Sequence, residues 1–200
     1  MWKYKTGIKP KKLIDELVVS VGTKKEYSKL KKFHYINKDF PAGGYQIFSL
    51  KHNGILYGIT VYSPPILELL ARNKTHIGKA MNVKFGHKSA KYSFLNKNFR
   101  TTSRVIIHPS LRGIGCASYL SQQTWRKVGV RFIEAIGAML YFRNFFPKPY
   151  SYYIKVSRKL SATTFFDTKS PKGASMKRLK TPVQRYGYVL YINENEPIRY

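Results

Sequence analysis

The stretch from residue 101 to residue 136 constrains the fold more than any other part of the chain. Thr101–His108 is rich in β-branched residues and is followed by a proline, which predicts a strand that stops there. A glycine turn, Arg112–Ala117, leads into a predicted helix at Ala117–Val128, and Arg131–Ile136 is the next predicted strand. This order predicts two parallel strands joined by a right-handed crossover, and hence a fold that mixes α and β structure.

Two further strands are predicted to form a hairpin. Tyr45–Lys51 and Ile55–Tyr62 are β-rich, and Asn53-Gly54 between them is the signal for a two-residue turn. The other predictions are a segment at Lys11–Val21 that suits helix and strand alike, helices at Lys24–Phe33, Ile66–Ala71 and Ala138–Phe146, a long basic loop or insertion at Arg72–Arg100, and a last strand at Tyr186–Ile192.

The glycine turn is a candidate anion site. The first N–H groups of a helix have no partner within the helix, and the helix dipole favours negative charge beside them. Glycine allows a ligand to approach the main chain closely, and Arg112 adds a cation that can pair with phosphate oxygens. The spacing is neither that of a P-loop nor that of a dinucleotide fingerprint, whose third glycine is replaced by Ser118. A purely structural connection between strand and helix is the alternative interpretation.

The charge of the chain predicts a polyanionic partner. Thirty-seven Lys and Arg residues against nine Asp and Glu residues give a formal net charge of +28. The excess spreads over the chain, and thirteen Lys and Arg residues but no acid lie between Glu68 and Glu134. Aromatic residues are interleaved with the lysines, as in residues 91–94, and this mixture suits phosphate contacts together with base stacking. Nucleic acid, DNA more than RNA, is therefore the expected partner, with a membrane surface or a phosphate-rich ligand as alternatives.

Several classes of protein are excluded by composition. The single cysteine, Cys116, excludes an internal disulfide framework and a zinc site built from cysteines. No run approaches 18 uncharged apolar residues, and the basic start is not followed by the apolar segment of a signal peptide. We therefore expect a cytoplasmic protein without a membrane span. Nine scattered acids also make a carboxylate metal site improbable, so no metal is expected.

Four motifs in order give the sequence a family resemblance. They read Phe33-His34-Tyr35, Tyr62-Ser63-Pro64-Pro65, Ser103–Gly115 and Asn144-Phe145-Phe146. The glycine turn resembles the pyrophosphate loop of the GNAT superfamily of N-acetyltransferases. The set as a whole is similar to the acetyltransferase-like domain associated with predicted ABC-type ATPases and with stand-alone phage proteins. The resemblance covers about residues 25–150, within one expected domain of residues 1–200 that has a basic N-terminal segment at 1–24 and an extension at 151–200.

The resemblance implies both a fold and a cofactor. The implied fold is a mixed, mostly antiparallel sheet with a V-shaped splay at its centre, flanked by helices. Acetyl-CoA or another acyl-CoA would lie where Thr101–His108 and Arg131–Ile136 part. The implied cofactor-binding residues are Ile106, Ile107 and His108 for the pantetheine arm, and Arg112, Gly113, Ile114, Gly115, Cys116 and Ala117 for the diphosphate.

Catalytic and acceptor-binding residues are expected on both sides of that slot. Glu134, His34 and Tyr141 are the candidate catalytic residues, and Tyr62, Ser63 and Arg104 are the candidate substrate-binding residues. The family's usual tyrosine position is occupied by Phe146, so Tyr141 or Tyr150 would have to replace it. The alternatives are an ion pair of Glu134 with Arg104 or Arg131, local packing for His34, a turn-orienting role for His108, and a rigid strand end at residues 62–65.

Three functions follow as hypotheses. The first is an acyl-CoA-dependent N-acyltransferase that acts on nucleic acid or while bound to it, as in phage-type modification of nucleobases. The second is a protein or small-amine N-acetyltransferase whose charge serves localisation. The third is a nucleic-acid-binding module that keeps the fold without catalysis, and Phe146 at the tyrosine position favours this one.

Overall fold

A single mixed sheet organises the chain. The computed structural model describes residues 10–34, 40, 43–138, 140, 152–159 and 183–200. Its strands are β1 Val18–Val21, β2 Gln46–His52, β3 Ile55–Ser63, β4 Phe99–Ile107, β5 Phe132–Gly137, β6 Tyr152–Lys159 and β7 Val183–Ile192. Its helices are α1 Pro10–Asp15, α2 Lys24–Leu30, α3 Leu70–Asn73, α4 His76–Lys84, α5 Lys88–Asn98 and α6 Cys116–Trp125, with 3-10 turns at Lys31–Phe33 and Pro109–Leu111.

The seven strands lie in the order β1-β2-β3-β4-β5-β7-β6. Every neighbouring pair is antiparallel except β4 and β5, which are parallel. The mixed, mostly antiparallel sheet flanked by helices that the family resemblance implied is therefore confirmed. Both segments expected to flank the core contribute strands, since β1 forms one edge and β7 pairs with β5 inside the sheet.

The hairpin and the crossover form as local signals predict. Asn53 and Gly54 both have positive φ, 48° and 76°, which is the turn conformation that Asn-Gly favours between two strands. The helix α6 covers one face of the sheet, where Leu120 and Trp125 pack against apolar residues of β2 and β5. The opposite face is covered by α2 and by the helices that lie between β3 and β4.

Two sequence predictions were wrong, the long loop at residues 72–100 and the helix at Ile66–Ala71, which begins only at Leu70. Residues 72–100 form α4 and α5 instead of a long loop, because Thr75 caps the first helix and Phe94 and Leu95 bury an apolar face of the second. Residues 11–21 divide into α1 and β1, since Val18 to Val21 pair with β2. The helix predicted at Ala138–Phe146 lies almost wholly outside the described residues. Among the described residues, no helix has both the length and the apolar character needed to cross a membrane.

Candidate functional site: a parting of parallel strands beside a glycine turn

The two parallel strands at the centre of the sheet part halfway along their length. Pairing between β4 and β5 runs from Phe99 with Phe132 to Thr102 with Ala135. Beyond this point β4 remains paired to β3 as far as Ile107, while β5 remains paired to β7. The β3–β4 register shifts at the same place, so Ser103 forms a bulge where the separation begins. The space between the parted strands is called the gap below.

The direction of the β4 main chain determines which groups face the gap. The N–H of His108 donates to the carbonyl of Tyr57 at 2.7 Å, and Gly58 lies opposite Ile107. In an antiparallel ladder the hydrogen-bonding direction alternates along the strand. Ile106 and His108 therefore turn their N–H groups to β3, whereas Val105 and Ile107 turn theirs to the gap. The register thus identifies the N–H groups of Val105 and Ile107 as main-chain groups available there, while the Ile107 carbonyl accepts from Arg112.

The glycine turn follows directly from the end of β4. Gly113 and Gly115 have φ of 83° and 96°, a left-handed conformation that L side chains rarely adopt. A Cβ atom at Gly113 would meet no heavy atom within 4 Å, so glycine is required there by backbone conformation and not by lack of space. Gly115 is the N-cap of α6 and has no side-chain cap. The first N–H groups of α6 therefore lack an intrahelical acceptor.

Arg112 joins this turn to its surroundings. Its Nε donates to the Ile107 carbonyl at 2.9 Å, and its Nη2 donates to the Phe33 carbonyl at 2.7 Å. The side chain is nevertheless exposed. The guanidinium thus orients the glycine turn against the end of β4 and places a positive charge beside it.

Cys116 begins α6 on its buried side. Only 2% of its surface is exposed, and it packs with Leu17, Leu111 and Leu120. Burial raises the pKa of the Cys116 thiol to about 11. The cysteine is therefore a small core residue at neutral pH, and its main-chain N–H is the group that remains suited to an anion. Ile114 and Ala117 pack at the border of the same cluster.

Glu134 lies at the last paired stretch of the parallel strands, opposite Thr101. It has no exposed surface, and its carboxylate accepts four hydrogen bonds. Arg72 donates from Nε at 3.0 Å and from Nη2 at 2.6 Å, Thr101 donates from Oγ1 at 2.9 Å, and Tyr188 donates from Oη at 3.3 Å.

The partner of Glu134 differs from the two that were considered from the sequence. Arg131 donates instead to the carbonyls of Asn193, Glu194 and Glu196, and Arg104 Nη1 donates to the Ser103 carbonyl. The ion pair is made by Arg72, because α3 carries that side chain into the core beside β5.

The expected acceptor residues occupy different environments. Tyr62 has no exposed surface, and its hydroxyl lies 2.6 Å from Thr124 Oγ1 of α6. Its side chain therefore makes a contact in the core, and not the contact with an acceptor that was expected. Burial raises the pKa of Tyr62. Ser63 is half-buried, and its hydroxyl forms a hydrogen bond with the hydroxyl of Ser103 at the bulge. Arg104 is half-buried beside the gap, and its Nε is buried without a hydrogen-bond partner.

The histidines and Tyr141 complete the set of expected residues. His34 ends the 3-10 turn after α2, with its N–H donating to the Lys31 carbonyl. His108 accepts the N–H of Ser110 on Nδ1, and its ring lies edge-on to that of Phe33 at 4.9 Å. This geometry fits the turn-orienting role considered for His108. Tyr141 lies outside the described residues.

Three residues at this site were missed by the sequence analysis. Arg72, Thr101 and Tyr188 surround Glu134, and Tyr188 lies 54 positions away from it. One signal was present in the sequence. Arg72 follows the apolar run Leu69-Leu70-Ala71, and Glu134 is the single acid of an apolar strand. Two lone opposite charges in apolar segments indicate a buried ion pair.

Comparisons with known proteins find similarity only at the level of structure. No protein-family model matches the chain, and no curated protein is significantly similar to it. A GNAT family acetyltransferase from Elizabethkingia anophelis with acetyl-CoA bound is 9% identical, with a TM-score of 0.44 over 90% of this chain and 99% of that chain. An agmatine N-acetyltransferase variant in its apo form is 14% identical, with a TM-score of 0.46 over 90% of this chain and 100% of that chain. An IAA acetyltransferase from Bacillus cereus is 9% identical, with a TM-score of 0.39 over 88% and 99% of the two chains.

Proposed function

We propose that the protein is an acyl-CoA-dependent N-acyltransferase. The observation that carries the proposal is the parting of β4 from β5 after Thr102 and Ala135, directly beside the turn at Gly113 and Gly115. The gap offers main-chain hydrogen-bonding groups to an extended chain, and the turn offers N–H groups to an anion. A cofactor with a polar arm and a diphosphate needs these two features next to each other.

The residues present fit such a cofactor. The main-chain groups of Val105 and Ile107 would hold the pantetheine arm, since alternation turns them to the gap. The N–H groups of residues 113–117 would hold the diphosphate, at the positive end of the α6 dipole. No acidic residue occurs between Glu68 and Glu134, so no carboxylate of this segment opposes the phosphates.

The bound cofactor would supply an acyl group activated as a thioester. The chain's contribution is to position that group and to stabilise negative charge on the carbonyl oxygen by a main-chain N–H of β4. Val105 is the described candidate, because it lies in the opened part of the strand close to the bulge at Ser103. The geometry favours a positioning role for Glu134, since its four hydrogen bonds leave the carboxylate no free access to an acceptor amine. We assign removal of the amine proton to water.

We further propose that the acceptor is nucleic acid, or that the enzyme works while bound to it. The net charge of +28 supports this part, as does the absence of acids over the central third of the chain. An acceptor of this kind would bring its phosphates to the side of the gap where Arg104 lies. A protein or small amine is the competing acceptor class, and assays with nucleosides, oligonucleotides and lysine-containing peptides discriminate among them.

The test of cofactor binding is calorimetry with acetyl-CoA. The wild type should bind, and Gly115→Val should abolish binding because a β-branched residue cannot adopt φ of 96° without moving the turn. Gly54→Val is the matched control, since Gly54 also has a positive φ and a Cβ atom there would meet nothing within 4 Å, but it lies in the β2–β3 turn. If the wild type does not bind acetyl-CoA, or if both variants lose binding equally, the proposed cofactor site is wrong.

A further inference from the structure

An unusually long connection joins two neighbouring antiparallel strands. The strands β3 and β4 are adjacent, and a turn of a few residues would suffice to connect them. Residues 64–98 lie between them instead and contain α3, α4 and α5. Only Phe85, Gly86 and His87 separate α4 from α5. A three-residue turn that contains glycine is the connection typical of a helix-turn-helix unit, and residues 64–98 are called the unit below.

The inner faces of this unit anchor it to the sheet. Met81 of α4 and Phe94 and Leu95 of α5 are buried in one apolar cluster with residues of β4, β5 and β7. Gly78 lies so close to α3 that a Cβ atom there would be 2.0 Å from the Arg72 carbonyl oxygen. The unit is therefore held on the body of the protein as an ordered element.

The outer surface of the unit is positively charged apart from Glu68, whose carboxylate interacts with Lys88 and Lys91. Glu68 is the single acid of residues 64–98, and it pairs with Lys91 at 3.7 Å. Arg72 is neutralised by Glu134 in the core. The remaining cations of the unit are all exposed: Lys74, Lys79, Lys84, Lys88 and Lys97. Lys84 and Lys97 also contact Tyr200, at its ring and its carbonyl respectively, while their side chains stay exposed.

The exposed face of α5 has the side chains of a recognition helix. Ser89, Ser93 and Asn96 are exposed and follow each other at helical spacings of four and three residues. Short hydroxyl and amide side chains allow close approach and can hydrogen-bond to base edges. Lys88 and Lys97 flank this stripe nine positions apart, which is about 13 Å along a helix. The major groove of B-form DNA is about 12 Å wide and admits an α-helix, so a helix that lies in it brings lysines at both of its ends close to the bordering phosphates.

We propose that α5 docks in the major groove of duplex DNA. The exposed lysines of residues 64–98, the α3–α5 unit, then contact the phosphates. The proposal rests on the nucleic-acid part of the proposed function and names the surface that makes the contact. It does not depend on acyl-CoA. Duplex RNA is disfavoured as the partner, since its deep and narrow major groove does not admit a helix.

The experiment measures binding of the full chain to a short mixed-sequence DNA duplex by fluorescence anisotropy at several salt concentrations. Lys79→Gln with Lys88→Gln should weaken binding and lower the slope of affinity against salt by about 2, one unit for each phosphate contact. Lys25→Gln with Lys29→Gln on α2 removes the same charge from another exposed surface and should leave the slope nearly unchanged.

A second pair of variants tests the groove contact itself. Ser93→Glu places a carboxylate at the centre of the exposed α5 face and should abolish binding, whereas Ser28→Glu on the exposed side of α2 should not. Equal losses for the α5 and α2 variants would overturn the proposal in favour of diffuse charge. Binding of duplex RNA or anionic vesicles as tightly as DNA would overturn it as well. If Ser93→Glu fails to fold, the comparison of the two double-lysine variants decides between docking of this surface and diffuse charge.

Acetyl-CoA calorimetry on the same variants keeps the two proposals separate. Loss of DNA binding with unchanged acetyl-CoA binding supports a docking surface apart from the gap. If the wild type does not bind acetyl-CoA, the proposed cofactor site is wrong, and the interpretation of the DNA measurements is unaffected. A wild type that binds acetyl-CoA but no duplex would overturn the docking proposal alone.

Discussion

Arg72 and Glu134 form a doubly hydrogen-bonded ion pair in which neither side chain has any exposed surface. The two contacts are 3.0 Å and 2.6 Å long, and they join α3 to β5 at the stretch where β4 and β5 are still paired. Thr101 and Tyr188 bring β4 and β7 into the same network. The pair therefore ties the insertion between β3 and β4 to the strands that border the gap.

Breaking this pair from one side should be strongly destabilising. Arg72→Met or Glu134→Leu leaves an unpaired charge in the core, and each should lower the free energy of unfolding by about 3–5 kcal/mol. The double variant should lose much less than the sum, because it buries no charge. Urea unfolding measures all three. Arg199→Met is the control, since it breaks an exposed pair with Glu196 and should cost less than about 1 kcal/mol. Additive losses would show that the two side chains do not act as a pair.

Gly78 should tolerate no side chain. A Cβ atom there would lie 2.0 Å from the carbonyl oxygen of Arg72, and only a backbone shift can relieve that contact. Gly78→Ala should therefore lower the free energy of unfolding by about 3 kcal/mol, at the upper end for overpacking. The Cβ atom of Gly86→Ala would meet no heavy atom within 4 Å, so this substitution should leave the free energy of unfolding unchanged or raise it slightly. Thermal unfolding compares the two, and equal midpoints would contradict the close packing of α4 on α3.

Cys116 should be protected from thiol reagents in the native protein. Its side chain is buried, and its pKa of about 11 leaves little thiolate at neutral pH. Iodoacetamide should modify the native chain slowly and the urea-unfolded chain rapidly, as mass spectrometry can follow. Fast modification of the native protein would show that the start of α6 is open.

Tyr62 and Tyr188, which have no exposed surface, should make the protein sensitive to alkali. Burial raises the pKa of Tyr62, and burial with the nearby Glu134 carboxylate raises that of Tyr188, both from an ordinary value of 10.0. Their contribution to stability is complete below pH 10, and it is lost as the pH rises above that value, because only the unfolded chain then releases these protons. Urea unfolding between pH 8 and pH 11 should show this decline in the free energy of unfolding. Tyr188→Phe should make the decline smaller. A flat profile in the wild type would contradict the burial of both hydroxyls.

Much of the fold was predictable from local signals. The β2–β3 hairpin follows from Asn53 and Gly54. The existence of β4 and α6 follows from β-branched residues, Pro109 and the glycine turn, although β4 begins two residues earlier than predicted and α6 ends three residues earlier. The helices α4 and α5 were missed because lysines and asparagines supply three of the nine residues of α4 and five of the eleven of α5, and each helix buries only a narrow apolar face. Their stability comes from packing on the sheet more than from their own pattern.

The candidate site divides in the same way. The glycine turn could be recognised from the sequence, since the requirement for a positive φ is a property of single residues. The direction of the Val105 and Ile107 main-chain groups could not be recognised from the sequence, because it depends on the register with β3. The sequence indicates a buried partner for Glu134 only through its isolation in an apolar strand, and the contact with Arg72, 62 positions away, depends on the tertiary structure.

The sequence by itself determined the strand, turn and helix on which the cofactor proposal depends, together with the excess of positive charge. These are properties of neighbouring residues and of composition. The tertiary structure alone decided where the parallel strands part, which charges meet in the core, and which lysines of the α3–α5 unit stay exposed. Those outcomes depend on contacts between residues distant along the chain, and long-range packing sets them.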